Sequence, residues 1–174
     1  MKHILATALV GLATPAVAEV VSANANGLEV RETVLLVVPP EVAFNSFRDI
    51  AAWWDPQHTY SGDSANLSLA LVPGGCFCER IPKSGGIEHL RVAYVDSGKR
   101  VVLTGALGPL LYEATTGVMD VQVKAIAGGS QLVLDYKVAG FANGGAAKLA
   151  PAVDSVLAEQ MKRFRTYAIS RPKT

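Results

Sequence analysis

Two alternating runs set back to back, with a long amphipathic segment behind them, leave this chain few ways to fold. Over residues 117–127, Met119, Val121, Val123 and Ala125 alternate with Asp120, Gln122 and Lys124. Over residues 131–139, Leu132, Leu134, Tyr136 and Val138 alternate with Gln131, Asp135 and Lys137. Period-two alternation sends the two sets to opposite faces of a sheet, and Gly128-Gly129 between the runs is a turn signal. This predicts an antiparallel pair with one apolar and one wet face. The apolar face needs a cover, and residues 149–169 supply one. Val153, Leu157, Gln160, Met161, Phe164 and Ala168 recur there at helical spacing, with Glu159 and Arg163 as an exposed i,i+4 pair. Pro151 is tolerated only near a first turn, so that helix begins around Ala150.

Upstream, similar reasoning predicts strands at about 28–38, 66–72, 76–81, 88–95 and 100–104, seven in all with the last pair. Turn signals separate them: Pro73-Gly74-Gly75, Lys83-Ser84-Gly85-Gly86 and Asp96-Ser97-Gly98. In the first strand Val30, Val34, Leu36 and Val38 share a face with Glu32. Pro39-Pro40-Glu41 ends that strand and opens a short helix with Phe44 and Phe47 on one side. Asp49 is placed to cap a second short turn that ends at Trp53-Trp54. There is no linker, repeat or charge block, so the chain reads as a single domain.

One strand, two short helices, a six-strand meander and a long terminal helix resemble the helix-grip fold of the SRPBCC superfamily. That group includes START lipid-transfer domains, birch-pollen-allergen-like proteins, polyketide cyclases and chaperone-ATPase-activator homologues. The resemblance covers roughly residues 27–168. It rests on the helices of residues 40–54, the Pro73-Gly74-Gly75-Cys76-Phe77 strand start, Tyr94-Val95-Asp96 and the terminal helix. Gly-Gly-x-Phe and Val-Asp-x-x-x-Arg look most like the activator-homologue and cyclase branches. The resemblance implies an α+β fold: a curved antiparallel sheet of about seven strands wrapped round the C-terminal helix, with a cavity between them. It does not select a function, since that fold hosts carriers, enzymes and adaptors.

The chain's distinctive side chains cluster where such a cavity would open. Trp53 and Trp54 are neighbours on a short helix and point about 100° apart, so one packs under the sheet and the other lines the entrance. His58 and Tyr60 follow in a loop, where packing requires neither. The Gly/Pro-broken stretch of residues 105–111, with Leu107, forms a second lip, and Met161 faces in from the helix. With Lys83 to Gly86 as the hairpin turn, Glu79 faces His89 and Phe77 faces Arg91. These four then share one face, with Cys76, Cys78, Leu90 and Val92 on the other. The polar members read either as a solvated charge ladder, worth about 0.2–1 kcal/mol per pair, or as a cavity group. In the second case Arg91 would hold an anion and Glu79 and His89 would exchange protons.

Cys76 and Cys78 invite three readings. A disulfide is disfavoured, because i,i+2 side chains on a regular strand lie nearly 7 Å apart. A metal would need further ligands, such as His58 or His89, at a spacing the sequence does not display, so no metal is expected. Small buried hydrophobes is the favoured reading. No nucleophile elbow, P-loop or dinucleotide fingerprint occurs, and no cofactor is expected.

The first eighteen residues read as a signal peptide. Lys2 gives the positive start, an apolar run follows, and Ala16-Val17-Ala18 has the small-x-small form of a cleavage site. A mature chain of residues 19–174 would be periplasmic or secreted, with no membrane anchor. Losing Lys2 takes Lys plus Arg from 16 to 15, equal to the 15 Asp plus Glu. A neutral chain without a basic run gives no electrostatic reason to bind nucleic acid. The leading expectation is an exported protein that holds a small, apolar or amphipathic molecule in its cavity. One alternative is a cofactor-free cyclase- or hydratase-type enzyme with His58 or His89 as base and Glu79 as a further candidate. The other is a protein-binding adaptor.

Overall fold

A computed structural model describes residues 17–83 and 85–171. Its eight strands form one antiparallel sheet. They are β1 (Val17–Ala23), β2 (Gly27–Leu36), β3 (Leu67–Leu69), β4 (Cys76–Ile81), β5 (Gly85–Asp96), β6 (Arg100–Gly105), β7 (Thr115–Ile126) and β8 (Gly129–Gly140). The spatial order is β1-β2-β8-β7-β6-β5-β4-β3. Helix α1 (Pro40–Arg48) follows β2, and α2 (Ala150–Ser170) closes the described chain. This is the α+β, helix-grip arrangement, with one strand more than the seven expected. The extra strand, β1, is an edge strand exposed along its whole length, so it carries no alternating signature. Residues 1–16 of the expected signal peptide lie outside the described residues.

The β7–β8 hairpin is as the alternation requires. Met119 pairs with Tyr136, Val121 with Leu134 and Val123 with Leu132, all buried, across a turn where Gly128 takes φ 82°. β2 then docks on β8, with Val30 opposite Tyr136 and Glu32 opposite Leu134. Leu157, Gln160, Met161, Phe164 and Ala168 of α2 are buried, and Phe44 and Phe47 of α1 join the same core. Two polar expectations fail because better partners are near. Asp49 makes no side-chain cap; its carboxylate accepts from the Tyr167 hydroxyl at 3.1 Å and from Arg171 at 2.7 Å. Arg163 donates to the Trp53 carbonyl at 2.9 Å, so Glu159 pairs with Lys162 instead, at 3.4 Å.

The β4–β5 register departs from the expected one. Lys83 takes a left-handed φ of 69°, the turn tightens, and Ile81 pairs with Gly85. Glu79 therefore lies opposite Ile87 rather than His89. The ladder then shifts, with Cys78 opposite Glu88 but Phe77 opposite Leu90. His89 is the extra residue of a β-bulge, which breaks the alternation. His89 and Leu90 are consecutive and both buried, while Arg91 is turned outward. It pairs with Glu88 and donates to the Gly74 carbonyl at 2.8 Å. Beside the bulge, the Cα atoms of Cys76 and Cys78 are only 5.3 Å apart and the two cysteines form a disulfide. The argument against that bond assumed a regular strand; a bulged ladder bends and twists more strongly, which brings i,i+2 positions within disulfide reach.

Candidate functional site

A cavity of about 360 Å³ opens between the sheet and the start of α2. Of the residues expected at a ligand site, Trp54, His58, Tyr60, Phe77, His89 and Leu107 line it. Trp53 is buried behind it, its ring 5.6 Å from Phe47 and 5.4 Å from Phe164, with its indole N–H donating to the Ser46 carbonyl at 3.0 Å. Met161 belongs to that inner core too. Glu79 supports the wall without lining it, and Arg91 is outside it altogether.

Two polar networks fix the loop after Trp54. In the first, Glu79 is 1 % exposed. Its carboxylate accepts from the Ser61 amide at 2.5 Å, the Tyr60 amide at 3.1 Å and the His89 Nε2 at 3.1 Å. Burial works to raise the Glu79 carboxyl, but the hydrogen bonds from Ser61, Tyr60 and His89 outweigh it and hold it below the usual range. Burial pushes His89 down, only partly opposed by Glu79. An ionised carboxylate only accepts, so His89 is neutral with its proton on Nε2. Its Nδ1 is left as a bare lone pair, buried and without a partner among the described residues. Phe77 packs against this imidazole at 4.9 Å between ring centroids and Tyr60 at 5.9 Å.

In the second network, Gln160 of α2 is fully buried, and its Oε1 accepts from the Asp55 amide at 2.8 Å. That fixes the amide orientation, so its NH2 group meets His58 Nδ1 at 2.9 Å. His58 accepts there and carries its proton on Nε2. The Trp54 indole donates to the His58 carbonyl at 3.0 Å, which ties the same loop to the cavity wall.

The second lip is held by Tyr136. Its hydroxyl accepts from the Leu107 amide at 3.0 Å and donates to the Gly105 carbonyl at 3.2 Å. Burial pushes that hydroxyl up to about 12, so it stays protonated. The Tyr136 ring lies so close to β7 that a Cβ on Gly117 would sit 2.7 Å from it, which only glycine permits. Leu110 falls in the expected lip of residues 105–111; Tyr136, Leu149 at the N-cap of α2, and Ala152, Val153 and Val156 within α2 were not singled out as lining from sequence. Positions 149, 152, 153 and 156 recur at i, i+3, i+4 and i+7 beside the core face, a signal present in the pattern. Among the described residues, no group of three or more His, Cys, Asp or Glu is placed to hold a metal ion, and no helix is long and apolar enough to cross a membrane.

No protein-family model matches the chain, and no curated protein matches it in sequence. Solved structures do match. An uncharacterised protein from Rhizobium leguminosarum aligns over 89 % of this chain and 98 % of its own, at 16 % identity and TM-score 0.60. DynU16, a protein of the dynemicin biosynthetic locus, aligns over 82 % of this chain and 47 % of its own, at 13 % identity and TM-score 0.57. Ara h 8.0201 aligns over 83 % of this chain and 99 % of its own, at 14 % identity and TM-score 0.56. At such identities a likeness speaks for architecture alone: the chain has the helix-grip fold.

Proposed function

We propose that this protein is an exported carrier that holds a small, mostly apolar molecule between its sheet and α2. The cavity carries the reading. Its volume of about 360 Å³ falls in the range of small-molecule sites, and its walls are mostly apolar or aromatic with a few fixed polar groups. His58 and His89 stand in that wall as orientation-fixed polar side chains, which suits a ligand with one or two polar atoms on an apolar body. The disulfide fits an oxidising compartment outside the inner membrane, as does the expected cleavage site after Ala18. The test is titration with an apolar fluorescent probe. Trp54→Ala removes cavity wall and is expected to weaken binding about tenfold or more, whereas Lys137→Ala, whose side chain pairs with Glu29 on the wet face, leaves it unchanged. Equal effects would put the binding site elsewhere.

One observation favours a second reading. A carboxylate that fixes an imidazole tautomer is also how a general base is built, so the Glu79–His89 pair suits a cofactor-free acid/base enzyme. For such an enzyme, His89→Gln would cost about 10²–10⁴-fold in rate with little change in affinity. For a carrier, only affinity would move.

A further inference from the structure

A second polar group lies outside this cavity and has no partner among the described residues. Glu32 sits on the helix-facing side of β2 among Val30, Val34 and Leu36, and it is fully buried. Among the described residues, neither carboxylate oxygen accepts a hydrogen bond, and Oδ1 of Asp154 on α2 is likewise buried and unpartnered. Burial, and then the nearby Asp154, push the Glu32 carboxyl up to about 8. A buried carboxyl without a donor, next to a half-buried one, is costly unless a cation or a proton joins them. The cleft of about 590 Å³ that Glu32 lines is walled by Asp55 and His58 of the loop, by Glu159 and Lys162 of α2, and by Ala18 of β1. Lys162 is already paired with Glu159, and its side chain is 75 % exposed.

The strand pairing places a source of positive charge there. Ala18 is the cross-strand partner of Glu32. Such partners have Cα atoms about 4.5–5.5 Å apart, within reach of a glutamate side chain. Ala18 also ends the small-x-small motif Ala16-Val17-Ala18. When water adds across the Ala18–Glu19 peptide bond, the carbonyl departs with residues 1–18 as a carboxylate. The nitrogen remains on Glu19 and takes up protons as an α-ammonium group. In the uncut chain Glu19 to Ala23 pair with β2, apart from a bulge at Val21.

We propose that Glu32 and Asp154 form an ammonium-binding site, and that its occupant is the chain's own α-ammonium group on Glu19, created by cleavage after Ala18. The occupant rests on the export reading given above; the ammonium chemistry of the site does not. The experiment follows the Glu32 carboxyl by ¹³C NMR, assigned with Glu32→Gln, in three forms. These are the uncut full chain, the chain cut after Ala18 with its N-terminus verified by sequencing, and the cut chain acetylated at Glu19. Cutting is expected to lower the proton affinity of Glu32 about a hundredfold, and acetylation to restore it. Methylammonium is expected to lower it in the uncut chain, and the bulkier tetramethylammonium to leave it alone. An identical midpoint in cut and uncut chains overturns the proposal. So does a low midpoint that survives acetylation, since loss of Val17 and Ala18 would then have hydrated Glu32. A methylammonium response as large in the cut chain as in the uncut one makes a free amine the occupant and overturns the assignment to Glu19. If exported protein is sequenced and begins elsewhere, the export reading fails by itself, and a protease-generated Glu19 terminus still tests the site.

Discussion

Replacing Glu79 with glutamine perturbs the loop over the cavity without changing its shape. Three N–H donors converge on the two Glu79 oxygens, which the carboxylate accommodates because it only accepts. Glutamine has one oxygen and brings two donors of its own. With that oxygen kept on the Ser61 amide, the NH2 group faces the Tyr60 amide and His89. The imidazole can adapt by moving its proton to Nδ1, so that Nε2 accepts. The Tyr60 amide cannot adapt, and it loses a charge-assisted partner. One such bond is worth about 1.5–3 kcal/mol, and a partly buried donor left unpaired adds to the loss, so Glu79→Gln should cost about 2–4 kcal/mol at neutral pH. The cost depends on pH in a defined direction. The Glu79 carboxyl is held lower in the folded protein than its ordinary value of 4.5, so its stabilisation is present above 4.5 and is lost as pH falls through the folded value. Urea denaturation should therefore show the gap between wild type and variant closing in acid, while ¹⁵N spectra should show the His89 proton moved from Nε2 to Nδ1. A loss under about 0.5 kcal/mol at pH 7, on the scale of an ordinary surface change, or an unmoved His89 proton would refute the reasoning.

Tyr136→Phe strips the Leu107 amide and the Gly105 carbonyl of their partner. It should cost about 1–3 kcal/mol in denaturant melts and weaken probe binding through a loosened lip. Reducing the Cys76–Cys78 bond opens a ring of only a few residues, so chain entropy predicts a loss of about 1–2 kcal/mol; a loss above about 4 kcal/mol on adding reductant to a thermal melt would contradict this. In the uncut chain the folded protein keeps the Glu32 proton up to about 8, whereas the unfolded chain releases it near 4.5. Stability should thus fall by about 1.4 kcal/mol per pH unit across that window, and Glu32→Gln should abolish the slope.

The sheet and α2 were legible because their residues obey a period: alternation in β7 and β8, and helical spacing from Val153 to Ala168. The site was half legible. Trp54, His58 and Tyr60 could be placed because chemistry-rich side chains in a loop have no packing reason to be there. Arg91 was misplaced because face assignment on a strand depends on counting, and His89 adds one residue that no local propensity announces. The disulfide was missed for the same cause. Gln160 looked like a core position on the helix, and only the fold reveals that its two ends meet Asp55 and His58. β1 was invisible because an edge strand wet on both faces has no pattern to read.

The bulge at His89 also bears on how this protein can change over time. In most of a sheet, composition is what varies and length is what is kept; here length itself sets the chemistry. Deleting the bulge residue would return β5 to a regular ladder and take the imidazole away, leaving Glu79 to face Tyr60 and Ser61 alone. An insertion or deletion in this one strand could therefore alter what the cavity accepts in a single step, with no change to the residues that form its apolar wall.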